Sequence, residues 1–193
     1  SIVSAVSHPP TNPGVSVIPG DISMADLKDY EARVRQPIRS TYRGYEIHGM
    51  PTPSSGGIAI AQALNLMETF DLSGKSRADI EHLYLEASRV AFADRNAYVA
   101  DEEFVDVPKD GLLSKAYARE RAKVIGPLAA PGKIAAGDPY PFENDLSVPL
   151  RPQPRPLAQE SMHTTHLAVS DREGNVVAYT FTIEDWGGSG IVV

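Results

Sequence analysis

Apolar positions along the chain follow two different spacings, and each predicts its own elements. Between Ser76 and Ala91 they fall at Ile80, Leu83, Tyr84, Ala87, Val90 and Ala91, the three-and-four spacing of an amphipathic helix. Ser76 with Asp79 three positions on opens that helix as a capping box. From Gly57 to Phe70 the apolar residues (Ile58, Ile60, Ala61, Leu64, Leu66, Met67) cover almost the whole circumference, which predicts a helix buried under a larger body. A third helix is expected over Leu113, Tyr117, Ala118, Val124 and Ile125, opened by Ser114 and stopped by Gly126. A brief one follows Asp21 or Ser23 as N-cap.

Alternation marks the strands. Residues 41–50 alternate as one strand, with Tyr45 and Ile47 on one face and Glu46 and His48 on the other. Thr164–Ser170 and Val176–Ile183 are rich in β-branched and aromatic residues, and Asp171-Arg-Glu-Gly-Asn between them is a turn sequence, so the pair predicts a hairpin. If Ser170 and Val176 close the loop, Ala168 faces Ala178, His166 faces Thr180 and Thr164 faces Thr182. Leu167, Val169, Val177, Tyr179, Phe181 and Ile183 then suit packing against a helical layer, while a slip of one residue would part the two threonines. Three stretches break the patterns. Residues 1–20 read as a short apolar stretch, a loop and a turn, 51–57 as a structure breaker, and 127–160 as a linker. Overlapping the end of that linker, residues 147–163 form a proline-rich mobile segment holding Pro149, Pro152, Pro154 and Pro156.

Composition narrows the function. A chain of 193 residues with 42% hydrophobic and 22% charged residues can bury a core. Eighteen basic against 25 acidic residues, with no basic block, argue against a nucleic-acid partner. No apolar run approaches the ~20 residues of a membrane span. The absence of cysteine excludes thiolate chemistry and cysteine zinc sites, and fits reducing and oxidising compartments alike.

One position carries specific chemistry. Thr164 opens a strand directly after the proline-rich segment. Cleavage between His163 and Thr164 would give Thr164 a free α-amino group with a reference pKa of about 7.7–8.0. Nucleophile and base would then belong to one residue, with the amine taking the hydroxyl proton as Oγ attacks an amide carbonyl. Thr182 could orient that Oγ. The competing reading is ordinary cross-strand packing of two threonines.

Other candidates divide between chemistry and plain structure. His163 and His166 have a helical ligand spacing but point to opposite faces of a strand, so no metal is expected, and His166 is read as a polar neighbour on the Thr164 face. Asp94, Arg95 and Asp101 are read as structural, with a helix-end ion pair fixing the following loop. Ser54-Ser55-Gly56-Gly57 is either an anion-binding helix start or a tight turn using glycine's freedom in φ. Trp186 beside Gly187-Gly188 either lines a substrate rim or packs.

Gly20-Asp-Ile-Ser-Met-Ala-Asp-Leu-Lys-Asp-Tyr, Arg35-Gln-Pro, Tyr42-Arg-Gly-Tyr, Pro53-Ser-Ser-Gly-Gly, Glu86-Ala, Ala91-Phe-Ala-Asp-Arg, Thr164-Thr-His-Leu, Gly174-Asn and Thr180-Phe-Thr resemble, in order and spacing, the γ-glutamyltranspeptidase family. The resemblance implies an α+β fold, part of the four-layer αββα sandwich of N-terminal-nucleophile hydrolases. It implies a precursor that cuts itself, with residues 1–163 the end of the large subunit and 164–193 the start of the small one. By the same resemblance Thr164 is the nucleophile, Thr182 its support and Thr165 the threonine that follows it at the substrate. Glu184 stands where many members have an asparagine that holds the donor's α-amino group, and a carboxylate can accept from an ammonium too.

The activity implied is transfer of a γ-glutamyl group from an amide donor to water or an amino acid, without a cofactor. An acylase of the same family, cleaving a glutaryl-type side chain, is the nearest alternative, kept open by Glu184. A non-catalytic module presenting Pro149–Pro156 is the alternative outside enzymes. The family's carboxylate-gripping arginine lies upstream of the residues here, and its oxyanion glycines downstream. The segment alone is therefore expected to be inactive, since each lost oxyanion donor costs about 10²–10³ in rate. The resemblance implies a periplasmic or secreted setting, with the cytoplasm left open.

Overall fold

The computed structural model describes residues 2–9, 13–14, 19–144 and 164–182, and the chain divides into two compact units. One comprises residues 1–33 and 157–193, the other residues 34–156.

In the first unit the opening apolar stretch is a short helix, α1 (Ile2–Ser7), and α2 spans Met24–Asp29. Of the two candidate caps Ser23 is the one used: its Oγ accepts from Asp26 N–H, and Asp26 accepts in return from Ser23 N–H at 2.7 Å. The same unit carries an antiparallel hairpin over residues 164–182.

The second unit opens on a hairpin. Residues 41–50 are not one strand but the turn and return of a hairpin, β1 (Ile38–Tyr42) and β2 (Tyr45–Gly49). Arg43 and Gly44 both take positive φ, 49° and 86°, the two-residue turn that matches strand twist. The alternation of Tyr45 and Ile47 with Glu46 and His48 belongs to β2 alone, and Tyr42, three positions before Tyr45, is its partner across the turn.

Helix α3 (Gly56–Met67) lies against both strands and against α4 (Arg77–Tyr98). Within this unit Ile58, Ala61 and Leu66 are sealed and Ile60 is 59% exposed. Gly57 explains the approach to the hairpin. A Cβ there would collide with the Met50 backbone, and neither Gly56 nor Gly57 has a positive φ. Close packing, not conformational freedom, requires this glycine.

Helix α4 has the predicted capping box, Ser76 Oγ accepting from Asp79 N–H and Asp79 accepting from Ser76 N–H. The third predicted helix forms, with Leu113 outside it. A turn of helix, α5 (Lys109–Leu113), precedes α6 (Lys115–Ala122), and Ser114 caps α6 as expected. Val124 and Ile125 fall beyond its end. Two apolar clusters result, one around Ile38, Ile58, Leu112 and Tyr117, the other around Leu66, Leu83, Val90 and Ala118.

Residues 127–144 are more than a linker. They run over the helices on fixed polar anchors and end in a 3₁₀ turn at Tyr140–Phe142. Arg89 donates to the carbonyls of Ala130 and Gly132, Arg121 to that of Ala135, and Tyr98 to that of Gly137. Glu143 accepts from Gly111 N–H at 2.9 Å. Such partners are contributed by distant residues, so the local loss of periodicity carries no sign of them. The proline-rich residues 147–163 lie outside the described residues.

Candidate active site

Strands β3 (Thr164–Ser170) and β4 (Val176–Thr182) pair antiparallel in the predicted register. Alternating β-branched and aromatic residues favour the strands, and the turn locks them together. Asp171 accepts from Asn175 N–H at 2.8 Å and from Asn175 Nδ2 at 2.7 Å, and Gly174 takes the positive φ of 87° that the turn requires. The side-chain and backbone hydrogen bonds from Asn175 hold the Asp171 carboxyl below its usual value.

Thr164 is therefore opposite Thr182, and His166 opposite Thr180. Strand pleating puts these four positions on one face. His166 Nδ1 and Thr180 Oγ1 are hydrogen-bonded at 2.6 Å, so His166 is a polar neighbour on the Thr164 face, as expected. Thr165 is opposite Phe181 on the other face, with Leu167, Val169, Val177 and Tyr179. Tyr179 and Phe181 stack there with centroids 5.3 Å apart. His163, Glu184 and Trp186 lie outside the described residues.

In the second unit Asp94 is fully buried and does not pair with Arg95. Its carboxylate receives Arg121 at 3.0 Å, Tyr117 OH at 2.9 Å, Gly137 N–H at 2.8 Å and Gln62 Nε2 at 2.5 Å. Arg95 turns instead to Asn96 and over the Phe92 ring. The structural reading of Asp94 holds in kind, a buried ion pair fixing a following loop, with Arg121 as the cation. Burial and the Asp94 charge push the Tyr117 hydroxyl far above its ordinary pKa, so it is a fixed donor. Glu86, also buried, faces Arg89 at 2.6 Å and Ala130 N–H at 3.2 Å. Burial opposes its charge, yet these two donors prevail and hold its carboxyl below the usual value.

These groups are bound to one another and leave no reactive atom open, which marks them as scaffold. A cleft of about 320 Å³ beside β1 and β2 holds Arg39, His48 and Lys115, with Glu46 beside His48 and Glu68 paired to Lys115. Among the described residues no cluster of side chains could hold a metal ion. No described helix is long and apolar enough to cross a membrane.

The fold of the chain matches a known class of protein. The crystal structure of cephalosporin acylase from Bacillus halodurans matches 89% of the chain at a TM-score of 0.68 and 28% identity, over 27% of its own length. The chain carries part of the α+β fold of the N-terminal-nucleophile hydrolases. Residues 8–193 match the model of the gamma-glutamyltranspeptidase family, and the chain belongs to that family. It is similar to the glutathione hydrolase proenzyme of Escherichia coli (strain K12), 41% identical over 182 residues, which cover 90% of this chain and 28% of that protein. It is also similar to the acylase ACY 1 proenzyme of Pseudomonas sp. (strain V22), 43% identical over 166 residues, 85% of this chain and 26% of that one. The chain thus spans under a third of the length of the curated relatives it matches.

Proposed function

We propose that this chain is the subunit junction of a γ-glutamyltransferase, or glutathione hydrolase, that cuts itself before Thr164. Residues 1–163 are then the end of the large subunit and 164–193 the start of the small one. The observation that carries the reading is the pairing of Thr164 with Thr182 at the open end of the hairpin, on a polar face. Kinship with a glutathione hydrolase proenzyme supports it.

In the precursor, Thr164 Oγ attacks the His163 carbonyl and the peptide bond rearranges to an ester. Water hydrolyses that ester, leaving a carboxylate on His163 and a free α-amine on Thr164. The amine then takes the hydroxyl proton while Oγ attacks the γ-amide carbonyl of the donor, and the departing amine leaves with a proton. The Thr164 ester passes its acyl group to water or to the amine of an acceptor amino acid. Thr182 orients Oγ by a hydrogen bond, and Glu184 contributes to the donor site by accepting from the donor ammonium. No cofactor enters the sequence of steps.

Intact mass of the full-length protein and of its Thr164→Ala variant tests this. The parent should split between His163 and Thr164 and the variant should stay whole. Two whole chains under folding conditions would sink the reading and favour the non-catalytic module. A second reading, an acylase acting on glutaryl-type amides, is favoured by Glu184 in place of the family's asparagine and by the similarity to acylase ACY 1. It predicts activity on substrates that lack the α-amino group.

A further inference from the structure

The hairpin carries a second polar rung for which the mechanism above has no use. His166 is paired with Thr180 one two-residue step along the ladder from Thr164 and Thr182, and the side chains of the rung meet at 2.6 Å. The backbone ladder and the Asp171–Asn175 turn already fix the register. What the contact does supply is orientation. With Nδ1 engaged, the imidazole is held in one attitude on the face of position 164, and its Nε2 has no hydrogen-bond partner among the described residues.

We infer that His166, held by Thr180, is a positioning residue for Thr164; this rests on the assignment of Thr164 as nucleophile. Residues i and i+2 on one face of a strand are about 7 Å apart, within the reach of an imidazole. A ring locked there limits the rotamers open to residue 164 and so the direction of its Oγ. No proton is transferred by the ring, so the effect falls on the rate of acyl transfer and self-cleavage and leaves substrate binding alone.

The test uses the full-length protein with His166→Ala, Thr180→Val, the double variant, and His166→Asn, whose amide can reach the place of Nδ1. Self-cleavage is followed by intact mass, and kcat and KM with a γ-glutamyl anilide. Each single alanine or valine variant should lower kcat about tenfold with KM changed less than twofold, because small misplacements of a nucleophile are costly. The double variant should be no slower than the slower single, and His166→Asn should recover most of the loss. Unchanged rates, or losses that multiply in the double variant, would overturn the inference. Nitrogen chemical shifts of the His166 ring in the uncleaved Thr164→Ala background give a readout independent of activity. A shift at Nδ1 on adding Thr180→Val supports the pair and no shift refutes it, even if the parent proves unable to cleave itself and the nucleophile assignment falls.

Discussion

Asp94 on α4 and Arg121 on α6 meet at 3.0 Å with almost no access to solvent. Around this pair, Gln62 of α3, Tyr117 of α6 and the Gly137 amide converge on the same carboxylate. One side chain thus ties three helices to the run of residues 127–144. Removing one member of a buried pair strands the other's charge, so Asp94→Ala should cost about 3–5 kcal/mol. Denaturant unfolding of the full-length protein measures it, and a loss below about 1 kcal/mol would show that water takes the place of the carboxylate.

The adjacent glycines at the start of α3 should respond in opposite ways. A methyl at Gly57 meets the backbone of Met50, whereas one at Gly56 meets nothing within 4 Å. Gly57→Ala should destabilise by about 1–3 kcal/mol through overpacking. Gly56→Ala should be neutral or stabilise by up to about 1 kcal/mol through the unfolded chain. Paired thermal melts decide it, and equal shifts would contradict the close-approach reading.

Glu86 gives the acid dependence a sign. Its folded carboxyl is held below the ordinary value, so on acidification the unfolded chain binds the proton first. Its contribution is present above the unfolded pKa of about 4.3 and is lost as pH falls through the lower, folded value. Glu86→Gln should therefore start less stable at pH 7 and lose less on going to pH 3. Melting temperatures across that range check it, and parallel curves for parent and variant would refute the assignment.

The candidate site was legible to the extent that its geometry is local. Hairpin register depends on alternation and on a short turn, both written in 19 consecutive residues, so opposing Thr164 to Thr182 and His166 to Thr180 needed no tertiary information. The capping box at Ser76 was legible for the same reason, and Ser23 as one of two candidate caps. The hydrogen bond between His166 and Thr180 was foreshadowed by their register, although the ring's attitude was not.

By itself, the sequence determined the strands and helices whose signals span a turn or two, the face on which Thr164 sits, and the family likeness carried by its motifs. Only the tertiary structure decided which cation neutralises Asp94, why Gly57 is a glycine, and where residues 127–144 are held. Those facts join groups far apart along the chain: Asp94 bonds Arg121 and Gly137, 27 and 43 positions away. A periodic pattern records which face of an element is apolar, because burial acts on each residue separately. It cannot record which polar group meets which, because that depends on how the elements are brought together in space.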